Sequence, residues 1–158
     1  METPAKDDGF LKKGGVWVIL QGILLVAVLI WHFMPFASPA HQIPYFGPIL
    51  VILGFILIFV ACFQLGGNLS PMPVPKSNSE LQTSGIYAMV RHPIYAGLIL
   101  IAIGIYALFP SFGQGYLTVA TMAFFGAKAT REERWMRQRF PEYVEYMDRS
   151  WRFIPFFS

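Results

Sequence analysis

Four long apolar runs alternate along this chain with short charged stretches, and the runs predict helices that cross a bilayer. A helix spanning the hydrocarbon needs about 20 predominantly apolar residues. The runs cover residues 15–34, 45–65, 93–109 and 112–129. The third is short but sufficient. The fourth is diluted by Gly113, Gln114, Gly115, Thr118, Thr121 and Gly126, side chains that suit a helix packed closely against others better than one facing lipid. The expected fold class is all-α and integral to the membrane: a single domain over 1–158, about four transmembrane helices, then a cytoplasmic amphipathic helical segment at the C-terminal end. In that last segment Trp135, Met136, Phe140, Tyr143, Val144, Met147 and Trp151 recur at roughly helical spacing among charged residues, with Pro141 interrupting. Such a stretch lies on the membrane surface or roofs a pocket.

Composition agrees with the pattern. Hydrophobic residues make up 55% of the chain and charged residues 13%, with a mean hydropathy of +0.51, which excludes an ordinary water-soluble globule and gives no reason to expect a nucleic-acid partner. Charge then orients the spans. Lys6, Lys12 and Lys13 precede the first run, Lys76 and Arg91 lie between the second and third, and Lys128, Arg131, Arg134, Arg137, Arg139, Arg149 and Arg152 follow the fourth. The acidic residues share those segments. Four spans with both termini in the cytoplasm place all of this charge on one face, as the excess of Lys and Arg in cytoplasmic loops requires. The expected location is a prokaryotic inner (plasma) membrane. The first run is too long for a typical signal-peptide core, and the lone Cys62, deep in the second run, reads as packing.

Three local features carry candidate chemistry. The connector Ser70-Pro71-Met72-Pro73-Val74-Pro75-Lys76 is too proline-rich for a helix and reads either as a linker or as a wall over a cytoplasmic pocket. At Arg91-His92-Pro93 a cation and an imidazole stand against the start of the third run, where Pro suits the first turn of a helix. His92 is then expected at the helix N-terminal boundary, among N–H groups that favour electron-rich ligands, with Tyr87 before it and Tyr95 just inside. Arg91 alone is also compatible with a snorkelling side chain. The third feature is Lys128-Ala129-Thr130-Arg131-Glu132-Glu133-Arg134, where the fourth run leaves the membrane. Adjacent residues point about 100° apart on a helix, so one Glu can face inward while the other faces out.

Taken in order, Leu81-Gln82-Thr83-Ser84-Gly85-Ile86-Tyr87, Arg91-His92-Pro93-Ile94-Tyr95-Ala96-Gly97, Glu132-Glu133, and Arg139-Phe140-Pro141-Glu142-Tyr143 with Tyr146 resemble the isoprenylcysteine carboxyl methyltransferase family. Phospholipid N-methyltransferases look like its distant relatives. The likeness spans roughly residues 66–155, with motifs at 79–97 and 128–146; the first two runs are generic. It implies a membrane enzyme that binds S-adenosylmethionine on the cytoplasmic side and meets a lipophilic acceptor (a small molecule, a lipid or a prenylated cysteine) from the bilayer. It further implies cofactor contacts from Leu81, Gln82, Tyr87, His92, Pro93, Ile94, Tyr95, Glu132 and Glu133, acceptor contacts from Lys128, Arg131 and Arg91, a reacting centre at Arg131 and Glu132, and no metal. The chain departs from the family pattern at Ser79, where some members carry a His that contacts the adenosyl group. The remaining readings are methylation of a phospholipid amine and a non-catalytic lipid-binding scaffold. Methyl transfer from a sulfonium needs positioning more than a strong acid or base: a carboxylate for the cofactor, aromatic walls for its adenine and sulfonium, and a cation for an anionic acceptor.

Overall fold

The computed structural model describes residues 14–31, 45–68 and 81–153. Lys6, Lys12 and Lys13, the end of the first run at 32–34, the Ser70–Lys76 connector and Ser79 all lie outside the described residues. Among the described residues five helices follow in order: α1 (Gly15–Trp31), α2 (Phe46–Leu65), α3 (Pro93–Leu108), α4 (Phe112–Arg139) and α5 (Tyr143–Arg149), with single 3-10 turns at Gly66–Asn68 and Gly85–Ala88. Among the described residues the β pairing is confined to one isolated parallel bridge, Val90 with Trp151.

By length and composition, Phe46–Leu65 is the one helix among the described residues long and apolar enough to cross a membrane; α1 and α3 are shorter apolar helices. Helix α4 is different in kind. Its apolar run ends near residue 129, but the helix continues to Arg139, giving a rod about 42 Å long at 1.5 Å per residue. Of the residues that dilute its hydrophobicity, Gln114, Thr118 and Thr121 face inward; with Phe125, Lys128, Ala129 and Glu133 they are buried, mostly at intervals of three and four that form one stripe. Thr118 Oγ1 donates to Gln114 O within the helix (2.9 Å) and lies 3.3 Å from Ala102 O of α3.

Helices α2 and α3 pack antiparallel along a seam of glycines. A Cβ at Gly54 would stand 2.6 Å from Gly97 O and one at Gly97 would stand 2.7 Å from Gly54 O; Gly47 and Gly104 oppose each other in the same way. Small residues let backbones come this close, the usual basis of helix association in lipid. The outward side of α2 carries exposed Ile49, Ile52, Phe55, Ile56, Phe59 and Phe63, an apolar surface suited to hydrocarbon rather than water. Helix α1 is antiparallel to α4, because Gln21 meets Lys128 near one end and Trp31 meets Ser111 near the other. The start of α1, the end of α2, the start of α3 and the charged end of α4 therefore gather at one end of the bundle, as the charge pattern requires.

Candidate active site

Each helix end contributes a fixed piece of this charged end. At the close of α2, Gln64 Oε1 accepts from the Ile86 N–H at 2.8 Å and its side chain fills the space beside Gly85, whose φ of +61° suits only glycine without strain. The 3-10 turn that follows is thereby set against α2. Tyr87 is buried, its hydroxyl 3.4 Å from Ala61 O, and its own carbonyl accepts from the Tyr146 hydroxyl at 2.6 Å. The chain after α5 then runs beside residues 89–92: Trp151 N donates to Met89 O (2.8 Å), Arg91 N to Trp151 O (2.8 Å) and His92 N to Arg152 O (3.1 Å). His92 caps α3 and Pro93 occupies the first turn, the boundary expected from the sequence.

The two adjacent carboxylates serve different partners. Glu133 Oε1 lies 3.2 Å from Arg91 Nε, 3.2 Å from Arg152 Nε and 3.3 Å from His92 Nε2, while Oε2 accepts from Arg152 Nη2 at 2.5 Å. Burial by itself would raise this carboxyl, but the hydrogen bonds and charges of His92 and Arg152 outweigh it and hold the group down at about 2. Arg91 also donates through Nη1 to Met147 O at 2.8 Å and to Ser150 O. It is thus a buried clamp on the C-terminal tail, and the snorkelling reading is corrected: the guanidinium is turned into protein because the tail supplies carbonyls for it.

Glu132, one residue earlier, accepts a hydrogen bond from the Tyr95 hydroxyl, and its Oε2 lies 3.6 Å from His92 Nδ1. Burial dominates here and raises its carboxyl, against the opposing pull of His92, Tyr95 and Lys128. His92 therefore stands between the carboxylates with one ring nitrogen toward each. Aromatic rings continue from it in both directions. It stacks on Tyr95 at 5.4 Å and tilts against Phe153 at 5.9 Å; Tyr95 stacks on Phe125 at 4.9 Å, and Phe124 joins Phe125 to Trp17 of α1. Lys128, one turn before Glu132 on the same helix, is 1% exposed. Its ammonium lies 5.2 Å from the Tyr95 ring centre and donates to Gln21 Oε1 at 2.6 Å.

The structure thus brings together Arg91, His92, Tyr95, Lys128, Glu132 and Glu133, with Pro93 buried at the base and Ile94 beside it. Tyr87 is directed into the α2–α5 packing. Leu81 and Gln82 lie on the approach to the Gly85 turn, Gln82 donating to Ser84 Oγ at 3.0 Å. Arg131 stands apart: it is exposed, with its guanidinium over the Trp135 ring at 5.1 Å. Sequence reasoning missed Gln21, Gln64, Arg152 and Phe153. Gln21 and Gln64 carried a signal, each an amide inside an apolar run; Arg152 carried none that set it apart from its basic neighbours. Among the described residues no group of three or more His, Cys, Asp or Glu side chains could hold a metal ion.

A family model described as phospholipid methyltransferase matches residues 43–143, well over half of the chain and nearly all of this site. The chain belongs to the phospholipid methyltransferase family. Similar proteins include the cobalt-zinc-cadmium resistance protein CzcN of Cupriavidus metallidurans, 28% identical over 94% of this chain and 67% of that protein. Another is the protein-S-isoprenylcysteine O-methyltransferase B of Arabidopsis thaliana, 28% identical over 78% of this chain and 65% of that one. Among solved structures, the eukaryotic intramembrane Ras methyltransferase ICMT (isoprenylcysteine carboxyl methyltransferase) matches with a TM-score of 0.66 and 26% identity, covering 90% of this chain and 53% of that chain. This family member therefore spans about two thirds of those curated relatives and about half of the solved one. Its fold is that of an intramembrane methyltransferase, and within the family the isoprenylcysteine O-methyltransferase relatives and the ICMT structure support the likeness that its motifs carry. Gln21 and Arg152 lie outside the matched stretch.

Proposed function

We propose that this protein is an integral membrane methyltransferase that uses S-adenosylmethionine and methylates an anionic, lipophilic acceptor of the prenylated-cysteine carboxylate kind. In this reading four helices span a prokaryotic inner membrane, with the charged end in the cytoplasm. The observation that carries it is the placement of Glu132 and Lys128 one turn apart on α4, both reaching Tyr95 of α3, the carboxylate at its hydroxyl and the ammonium over its ring. S-Adenosylmethionine supplies an electrophilic methyl on a sulfonium together with an ammonium group, and the residues present fit it. Glu132 offers a carboxylate to a cationic or hydroxyl group, while His92, Tyr95 and Phe153 offer ring faces and edges to adenine or sulfonium. Glu133, matched by Arg91, Arg152 and His92, braces the site. Lys128 orients the acceptor, and its buried positive charge favours a carboxylate over the amine of a phospholipid, whose protonated form it would repel. The apolar rings about Tyr95 and Phe125 keep water from the transferred methyl.

Calorimetric titration of the purified protein in lipid nanodiscs tests this reading. S-Adenosylhomocysteine is expected to bind the wild type and Glu142→Ala alike, and to lose binding in Glu132→Ala and His92→Ala. Absence of binding to the wild type would leave the non-catalytic scaffold, and equal binding by all the variants would move the site elsewhere. Radiolabelled methyl transfer into a membrane extract, separated by class, then identifies the acceptor. Label in phosphatidylethanolamine derivatives rather than in base-labile esters would favour the phospholipid amine.

A further inference from the structure

Gln21 is the sole residue of α1 that is neither apolar nor glycine, and it lies on the helix's inward side with Trp17, Val18, Leu24, Leu25 and Val28. An amide placed in hydrocarbon is costly unless it is hydrogen-bonded. Its Oε1 is bonded to the ammonium of Lys128, the cation that reaches the Tyr95 ring one turn below Glu132. The choice of amide is informative. Two other cations at this end, Arg91 and Arg152, are held by the carboxylate of Glu133, which brings a counter-charge to them. For Lys128 the nearby negative charge is Glu132, one turn on, and the neutral amide oxygen of Gln21 fixes the ammonium in place without adding a second.

We propose that Gln21 is a positioning residue of the acceptor site: it holds the Lys128 ammonium beside Tyr95 so that its positive charge receives the carboxylate of a lipophilic acceptor. Helix α1 is thereby part of the reaction site as well as of the bundle. The inference rests on the methyltransferase reading above, and the test separates the two. The probe is N-acetyl-S-farnesylcysteine, an isolated prenylated cysteine carboxylate, with S-adenosylhomocysteine binding measured in parallel on wild type, Gln21→Leu, Gln21→Glu and the packing control Leu24→Ala.

Gln21→Leu loses the hold on Lys128 but suits an apolar helix. Gln21→Glu keeps the hold and adds a charge that competes with the acceptor. Both are expected to bind S-adenosylhomocysteine within about twofold of wild type and to raise KM for the probe about tenfold or more, the scale of one charge-assisted hydrogen bond, with a smaller change in kcat. Gln21→Glu is expected to be the worse of the two, and Leu24→Ala to keep the wild-type KM. A merely structural Gln21 would reverse that order, since Glu restores a polar partner that Leu cannot. The inference is overturned if wild type methylates the probe and both Gln21 variants keep its KM within about twofold. It is equally overturned if Gln21→Glu outperforms Gln21→Leu, if Leu24→Ala raises KM as much as they do, or if both Gln21 variants lose S-adenosylhomocysteine binding. Wild type that neither binds S-adenosylhomocysteine nor methylates the probe would instead overturn the methyltransferase reading, and the inference with it.

Discussion

The two sides of α3 are built on opposite principles. Toward α2 it presents Gly97 and Gly104, so backbone meets backbone and nothing polar intervenes. Toward α4 it presents Tyr95, Ile99 and Ala102 against a stripe that includes Thr118, Phe125, Lys128 and Glu132. The α2 side fixes distance and the α4 side places chemistry. In lipid the first task falls to close packing, because the hydrophobic effect does not draw helices together there. The second uses buried polar groups, which are costly unless partners satisfy them. A rigid seam on one side is what lets a crowded polar cluster persist on the other.

Breaking the seam should do the most damage. In Gly97→Val the new side chain would overlap Gly54 O, backbone that cannot move aside, at a cost of about 3 kcal/mol or more; loss of the monodisperse peak in size-exclusion chromatography would show it. Next comes Glu133→Ala, which leaves Arg91, Arg152 and His92 facing an empty centre. Removing one member of a buried ion-pair network costs about 3–5 kcal/mol, so thermal unfolding in nanodiscs should shift down sharply. The neighbouring Glu132→Gln should leave the unfolding temperature near that of wild type while weakening S-adenosylhomocysteine binding by about tenfold or more, the scale of a lost hydrogen bond to a charged group. Equal thermal shifts in the two variants would erase the distinction between brace and ligand.

The smallest expected effect is one of pH. Glu133 is held below its ordinary value near 4.5, at about 2. Its ionised form therefore stabilises the fold at neutral pH, and that contribution is lost as pH falls from about 4.5 toward 2. The gap in unfolding temperature between wild type and Glu133→Gln should be open at pH 6 and close across that acid range. A gap independent of pH would assign the stabilisation to packing.

Much of this division is legible in the chain itself. Pro93 marks the start of α3, and the hydroxyl and small residues of the fourth run point to its inward face, because helical spacing alone orders 114, 118, 121, 125 and 128. The glycine seam is less legible. Gly47 and Gly54, and Gly97 and Gly104, each stand seven apart, but only the antiparallel register of two helices shows which glycine opposes which. Arg131 adjoins Glu132 in the sequence, yet adjacency on a helix turns it about 100° away, toward Trp135. Arg152 is invisible for another reason: its partner lies across a loop return, where no periodicity links the residues. Family likeness points to Lys128, whereas Gln21, 107 residues away, has no local neighbour to mark it.

The tail that runs beside residues 89–92 gives the molecule a sense of order in time. During synthesis the helices and both carboxylates emerge before Ser150, Trp151 and Arg152. Until those residues arrive, Glu133 lacks one of its guanidinium partners and Arg91 lacks one of its carbonyls. A ribosome product that stops short of them would hold α1 to α5 yet leave the brace incomplete, so assembly of the site would wait for Ser150, Trp151 and Arg152 to dock.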